Sequence, residues 1–202
     1  MVVGRPNVLE ETWRLHNGTQ VLLRTLQATD FPLHRQFLHD CSQSSIYHRF
    51  FQVAHYAKVT DQQIARYTNF DQTRELAIIA VQEPDQKQEL GVARLIQQEN
   101  GVAEFAVIVA DPWQRQGLGR KLVEKIIEVA LQRHIRCLQG YVLSDNKAML
   151  SLCRQLGFKV CWLPAEGMYQ VQMELSSLID VRDQAKLIRS EDYDLCSPDN
   201  SS

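Results

Sequence analysis

The chain has 202 residues, a formal net charge of −2 and 45% hydrophobic residues, which suits one domain with a sizeable core. This charge provides no basic field to attract nucleic acid or an anionic membrane. No apolar run approaches a membrane span, and the start lacks a signal peptide's basic-then-apolar pattern. Five cysteines without a C-x-x-C pair or clustered histidines argue against a zinc site and a disulfide framework. We therefore expect a cytoplasmic protein without a metal site.

The first third of the chain predicts a hairpin and three short helices. Residues 1–12 show no periodicity and are expected to be a lead-in. Asn17-Gly18 separates two apolar runs, which is a strong β-hairpin signal. Residues that commonly cap helices predict helical starts at Thr29-Asp30, at Gln43-Ser-Ser45 and at Thr60-Asp61. The helices themselves are expected over 31–40, over 46–51 and from 61 through Tyr67.

The rest of the chain alternates predicted strands with two longer helices. Runs of β-branched and other apolar residues predict strands at 76–81, 90–96, 102–109, 136–143, 158–162 and 168–174. Apolar residues at helical spacing predict a helix from about Leu118 to Gln132, and a second helix runs from Asn146 to a C-cap at Gly157. Because a helix connects strand 102–109 to strand 136–143, the two strands must be parallel. The polar residues 179–202 are expected to be a largely disordered tail.

The loop after strand 102–109 carries the motif Gln114-x-x-Gly117-x-Gly119. Amides at a helix start have no intrahelical partner, and glycines let a ligand come close, so such a loop can bind a phosphate or pyrophosphate. Arg115, Arg120 and Lys121 add positive charge. The spacing is neither the G-x-G-x-x-G dinucleotide fingerprint nor a Walker loop. Taken alone, the motif fits a glycine-containing turn with surface arginines equally well.

A second motif follows about thirty residues later, where Asn146 opens a helix that ends in Gly157-Phe158. The run Gln114-Arg-Gln-Gly-Leu-Gly119 together with this second motif resembles the acetyl-CoA site of the GNAT acyltransferase superfamily. The resemblance implies an α/β (α+β) GNAT fold over residues 13–178. That fold has a mixed, twisted central sheet of about seven strands, helices on both faces and a splayed parallel strand pair. It also implies an N-acetyltransferase whose co-substrate is acetyl-CoA.

The resemblance also implies which residues bind acetyl-CoA. The pantetheine arm is expected on the backbone between the splayed strands, the pyrophosphate on the loop amides, and the pantetheine amide near Asn146, which can cap its helix as well. Cys153 stands where many GNAT enzymes carry a tyrosine acid; it is either a weak donor or an inert packed residue. The expected coenzyme-binding residues are Val107, Ile108, Val109, Gln114, Arg115, Gln116, Gly117, Leu118, Gly119, Arg120, Asn146 and Cys153.

Glu104 is the expected catalytic base. A lysine amine has a pKa of about 10.4 and is almost fully protonated at neutral pH, so the reaction needs a proton acceptor. Glu104 lies in the strand that leads to the loop, and a glutamate in this strand has that role in lysine-acetylating GNAT enzymes. The alternative is a solvent-facing glutamate near a strand start.

Four segments resemble the GNAT domain of Pat-type protein lysine acetyltransferases, namely 11–18, 45–51, 71–77 and 103–111. That family often carries the domain behind an acyl-CoA-synthetase-like region and acetylates lysines of acyl-CoA synthetases. The chain has no room for that region, so we expect an excised C-terminal domain or a stand-alone relative. In that family the first helices form one wall of the acceptor groove. Whether His48 and Arg49 contact the substrate there is left open. Two alternatives are an acetyltransferase for small amines and, given Cys153, a non-catalytic acetyl-CoA sensor.

Overall fold

A computed structural model describes residues 10–51 and 59–179. Residues 1–9 of the predicted lead-in and residues 180–202 of the predicted tail lie outside the described residues. The lead-in was expected to reach residue 12, but a strand already begins at Glu11, where Glu11 pairs with Leu23.

The described residues include eight strands, five α-helices and a further helical segment at 176–179, so the sheet has one strand more than the expected seven or so. The strands are β1 (Glu11–Arg14), β2 (Gln20–Thr25), β3 (Glu75–Gln82), β4 (Glu89–Gln97), β5 (Val102–Val109), β6 (Cys137–Leu143), β7 (Lys159–Leu163) and β8 (Met168–Glu174). The helices are α1 (Phe31–Asp40), α2 (Gln43–Phe50), α3 (Asp61–Thr68), α4 (Leu118–Gln132) and α5 (Lys147–Gln155).

All eight strands belong to one mixed sheet with the order β1-β2-β3-β4-β5-β6-β8-β7. The neighbours are antiparallel except β5 and β6, which are parallel, as the connecting helix predicted. The parallel pair therefore lies inside the sheet, with antiparallel strands on both sides of it. This is the α/β architecture with a central mixed sheet that the resemblance implied.

The sheet buries an apolar core on each face. Neighbouring side chains of a strand point to opposite faces, so Ile78 contributes to one core and Ile79 to the other. The first core contains the apolar stripes of α4 and α5, and the second contains apolar residues of α1 and α3. The layers are therefore helices, sheet and helices, and the site described below lies where this sheet opens.

Side-chain caps fix the starts of α2, α3 and α5, whereas Asp30 precedes α1 without a side-chain cap bond, although Thr29-Asp30 was predicted to cap it. Thr60 and Gln63 form a reciprocal capping box at α3, where Thr60-Asp61 was predicted. The cap of α2 is Ser42, which accepts a hydrogen bond from the Ser45 amide at 3.2 Å, so α2 begins earlier than Ile46. Ser42 suits this position because its backbone is extended and its side-chain oxygen accepts from an amide of the first turn.

None of the helices within residues 10–51 and 59–179 is both long and apolar enough to cross a membrane. The same residues contain no group of three or more histidine, cysteine, aspartate or glutamate side chains placed to hold a metal ion.

Candidate functional site

The candidate site begins where the parallel strands separate. Pairing between β5 and β6 ends at Glu104 and Gln139, although both strands continue beyond these residues. Gly140 allows β6 to come close to β5 just before the gap, because a Cβ on Gly140 would lie 3.0 Å from the Phe105 carbonyl oxygen. The backbone of β5 beyond Phe105 therefore faces a gap in the sheet instead of a partner strand.

A cavity of about 560 Å³ lies in this gap. This volume is within the range of roughly 300–1,000 Å³ that is typical of pockets for small ligands. Its walls come from β5, β6, the loop before α4, the start of α5 and the helix α2. The cavity therefore brings together three segments that the sequence analysis assigned to the coenzyme, namely 107–109, 114–120 and Asn146.

The loop before α4 exposes a run of unpaired amides at one end of the cavity. Arg115 and Gly117 both have left-handed backbone conformations, with φ of 60° and 86°. Among the described residues, no atom accepts a hydrogen bond from any of the backbone amides of residues 115–120. Alternating backbone conformations that turn successive amides to one side form an anion-binding concavity, and the helix dipole of α4 adds to it. The loop therefore has the chemistry of a pyrophosphate cradle.

The positive side chains around the loop are arranged differently from the prediction. Arg120 donates to Gln155 on α5 at 2.6 Å and lies 3.4 Å from Glu124. Lys121 instead turns away from the loop and pairs with Glu11 on β1. The expectation that Lys121 adds charge at the loop is wrong, since its charge is compensated on the neighbouring strand.

The β1–β2 hairpin supports the loop from behind. The His16 amide donates to the Gln116 carbonyl at 3.2 Å, so the Gln116 backbone is held by the hairpin. A Cβ on Gly117 would lie 2.8 Å from His16 Nε2 and 3.1 Å from the Trp13 ring. Glycine is thus required at position 117 both by the left-handed backbone and by the hairpin. Leu118 follows as a fully buried core residue whose amide remains at the loop.

Asn146 and Cys153 of the second motif have different surroundings. The Asn146 side chain accepts from the Met149 amide at 3.1 Å and caps α5, and Asn146 also lines the cavity. Cys153 is completely buried in the core and is not among the residues that line the cavity. Burial raises the pKa of its thiol to about 12, so it stays protonated at neutral pH. We therefore correct the assignment of Cys153 to coenzyme binding and regard it as a packing residue.

Glu104 lies at the last paired position of β5, one residue before the cavity lining begins. Its neighbours Ala103 and Phe105 belong to the core on the α4 side, so Glu104 points to the opposite face, where α2 lies. The Glu104 carboxylate accepts a hydrogen bond from Gln98 Nε2 at 3.2 Å. The candidate base thus stands beside the mouth of the gap.

The helix α2 supplies the wall next to Glu104, through His48 and Arg49. His48 lies 3.3 Å from Asp145 on the opposite side of the cavity. Burial and the charge of Arg94 lower the pKa of Arg49 to about 10, which still leaves Arg49 charged at neutral pH. The charge of Glu104 partly opposes this lowering, and the Arg49 guanidinium lies over the Phe50 ring at 4.8 Å. This wall is therefore polar and positively charged.

The sequence analysis missed the group of side chains that joins α2 to the loop. Asp111 accepts hydrogen bonds from the Ser42 amide at 2.8 Å, from the Ser42 hydroxyl at 2.6 Å and from the Ser45 hydroxyl at 3.0 Å. Gln114 donates to Ser45 and to the Val109 carbonyl, both at 3.0 Å. An aspartate directly after a strand is a weak signal, and its serine partners lie more than sixty residues away in the chain.

A sheet with a splayed parallel pair, a cavity in the splay and an amide-rich loop at one end is the arrangement of an acyl-CoA-dependent transferase. Comparisons with known proteins identify the family. The acetyltransferase (GNAT) domain family matches residues 20–159, more than half of the chain. The chain therefore belongs to the GNAT acetyltransferases, and acetyl-CoA is its co-substrate.

Individual relatives agree with this assignment. A curated acetyltransferase of Pseudomonas aeruginosa is 30% identical over 146 residues, which cover 71% of this chain and 77% of the relative. The GNAT domain of PAT from S. lividans is similar in structure, with a TM-score of 0.74 at 24% identity over 82% of this chain and 97% of that one. RimL, a ribosomal L7/L12 α-N-protein acetyltransferase in complex with CoA, gives a TM-score of 0.62 at 14% identity over 82% and 99% of the two chains.

Proposed function

We propose that this protein transfers the acetyl group of acetyl-CoA to the ε-amine of a lysine on a protein, with Glu104 as general base. The four segments that resemble Pat-type enzymes support a protein lysine as acceptor and suggest acyl-CoA synthetases as the class of substrate. In the reaction the amine nitrogen bonds to the acetyl carbon, the bond from that carbon to sulfur breaks, and coenzyme A leaves as the thiol.

The proposed placement of acetyl-CoA follows the geometry of the cavity. The unpaired amides of residues 115–120 would hold the pyrophosphate, because they are the exposed donors at the positive end of α4. The pantetheine arm would pair with the β5 backbone at Val107 and Val109, which has no strand partner on that side. The cavity wall offers Asn146 as a further polar contact. Holding both reactants in this way turns a bimolecular collision into an oriented encounter.

The observation that carries the proposed role of Glu104 is its place at the point where the strands separate. The carboxylate lies on the α2 face, next to the proposed acceptor wall, whereas the loop follows the far end of β5 beyond Val109. A carboxylate there can take the proton that a lysine ammonium must lose, directly or through a water molecule. The hydrogen bond from Gln98 restrains its orientation.

The first prediction is that Glu104→Gln lowers kcat/KM for acetyl transfer by about 100-fold or more, the usual contribution of a general base. The measurement is incorporation of labelled acetyl groups into an acyl-CoA synthetase, with calorimetry to show that acetyl-CoA binding is retained. Glu99→Gln is the matched control, because Glu99 is exposed in the turn just before β5. Equal rates for wild type and Glu104→Gln would refute the base. Transfer to small amines but not to the protein would favour the small-molecule alternative.

A further inference from the structure

The helix α2 is hydrogen-bonded to the segment before the loop at its N-terminal end. It has eight residues, and none of its side chains is fully buried, although Ile46 and Phe50 pack partly against the core. A helix this short is not stable on its own in water, so its position depends on its contacts. The strongest directed contacts are the hydrogen bonds from Ser42 and Ser45 to Asp111.

The partner in these contacts belongs to the segment that leads into the proposed coenzyme loop. Asp111 directly precedes that loop, and Gln114 within the motif links Ser45 to the carbonyl of Val109. Partial burial alone would raise the pKa of Asp111, but the hydrogen bonds from Ser42 and Ser45 outweigh it and hold that pKa below its ordinary value. Asp111 is therefore an anion at neutral pH, and its hydrogen bonds are charge-assisted.

The other half of α2 faces the acceptor side. His48 and Arg49 line the cavity, and His48 also reaches Asp145 beside Asn146. Both ends of α2 thus contact segments that surround the cavity. The side chains of Asp111 and Gln114 therefore link residues 111–120 directly to the acceptor wall.

We propose that Asp111 is a positioning residue that couples occupation of the coenzyme loop to the order of α2, the acceptor wall. Coenzyme A fixes the loop, the fixed carboxylate of Asp111 holds the N-terminus of α2, and His48 and Arg49 are thereby set for the acceptor. The effect is reciprocal, so an acceptor bound against α2 strengthens coenzyme binding by the same factor. This inference rests on the coenzyme placement proposed above, but not on Glu104 or on the identity of the acceptor.

Hydrogen–deuterium exchange with and without saturating coenzyme A tests the coupling on the full chain. In the wild type we expect coenzyme A to slow exchange of the residue 115–120 amides and of α2, the latter by about tenfold, a typical coupling between sites. In Asp111→Ala the protection of the loop should remain while that of α2 falls below about twofold. The backbone bonds from Trp113 to Ala110 and from Gln114 to Asp111 do not involve the Asp111 side chain, so the loop can keep its shape.

Three further variants separate coupling from simple loosening of the helix. Ser45→Ala removes one of the three hydrogen bonds to Asp111, and the protection of α2 by coenzyme A should fall between that of the wild type and that of Asp111→Ala. Asp111→Asn retains an oxygen acceptor for the serine hydroxyls. Coenzyme A should therefore protect α2 more strongly in Asp111→Asn than in Asp111→Ala. Gln43→Gly lowers the helix propensity of α2 and leaves the hydrogen bonds to Asp111 in place. Coenzyme A should still protect α2 in this variant.

Protection of α2 that is equal in wild type and Asp111→Ala, or loss of protection in Gln43→Gly as well, would overturn the inference. Absence of any protection at residues 115–120 in the wild type would instead overturn the proposed coenzyme placement, and with it the coupling. The two failures are distinguished by the loop amides alone.

Discussion

At the scale of single residues, the two glycines of the loop have different tasks. Gly117 is required by its left-handed backbone and by the nearby His16 and Trp13 side chains, so any substitution there also strains the fold. A Cβ on Gly119 would meet nothing closer than 3.9 Å, and Gly119 lines the cavity. A side chain at position 119 therefore enters the proposed pyrophosphate site while leaving the protein's own packing intact.

The prediction at this scale is that Gly119→Asp weakens binding of coenzyme A by about 100-fold or more, because a carboxylate would face the pyrophosphate at close range. Calorimetry with coenzyme A measures the affinity, and thermal unfolding in its absence should show a melting temperature close to that of the wild type. Gln132→Glu adds the same charge at the other end of α4 as a control. Unchanged affinity in Gly119→Asp would show that the loop does not hold the diphosphate.

At the scale of elements, ion pairs tie the first strand to the helix behind the loop. Glu11 on β1 pairs with Lys121 and lies 2.8 Å from Lys125, both on α4. Hydrogen bonds from Lys121 and Lys125 hold the pKa of Glu11 below its ordinary value, against the raising effect of burial. Because the folded-state pKa is lowered, the stabilisation is present above the ordinary pKa and is lost as pH falls through the folded-state value.

We expect Glu11→Gln to lower the free energy of unfolding by about 0.5 kcal/mol at pH 7, the modest contribution of a partly exposed pair. The difference from the wild type should shrink as the pH drops below the ordinary glutamate pKa of 4.5. Urea unfolding of both proteins at several pH values measures it. Glu166→Gln, in the exposed turn between β7 and β8, should show no such difference. A difference that persists in acid would mean that packing, and not charge, connects β1 to α4.

At the scale of the whole molecule, the cavity lies between parts of the fold that only meet in the native state. Residues from α2, β5, the loop, β6 and α5 all contribute to it, so the unfolded chain has no equivalent site. A ligand that binds the native state alone stabilises it by mass action.

Coenzyme A should therefore raise the melting temperature as its concentration rises. At 100 times the dissociation constant the stabilisation is about 2.7 kcal/mol, which corresponds to a shift of roughly 5–10 °C for a protein of this size. Differential scanning calorimetry over a range of coenzyme concentrations measures the shift. Gly119→Asp should show little shift at the same concentrations, whereas a shift equal to that of the wild type would place the ligand away from the loop.

Local sequence patterns determined most of the elements, because caps, turns and apolar periodicity act over a few residues. The Asn17-Gly18 hairpin, the capping box at Thr60 and the helix α4 after Gly117 all follow from their own neighbourhoods. The parallel pairing of β5 and β6 also follows from the sequence, because a helix that crosses over between two neighbouring strands returns the chain in the same direction. The Gln114-x-x-Gly117-x-Gly119 motif, to which we assign the coenzyme, is recognisable for the same reason, since its glycines, amides and helix start are contiguous.

Only the tertiary structure decided which distant side chains meet. Lys121 pairs with Glu11, which is 110 residues away in the chain, and Asp111 accepts hydrogen bonds from Ser42, which is 69 residues away. The burial of Cys153 and the face on which Glu104 stands likewise depend on how helices pack on the sheet. A sequence pattern carries no record of such contacts, because they arise from the packing of whole layers and not from the conformational preferences of neighbouring residues.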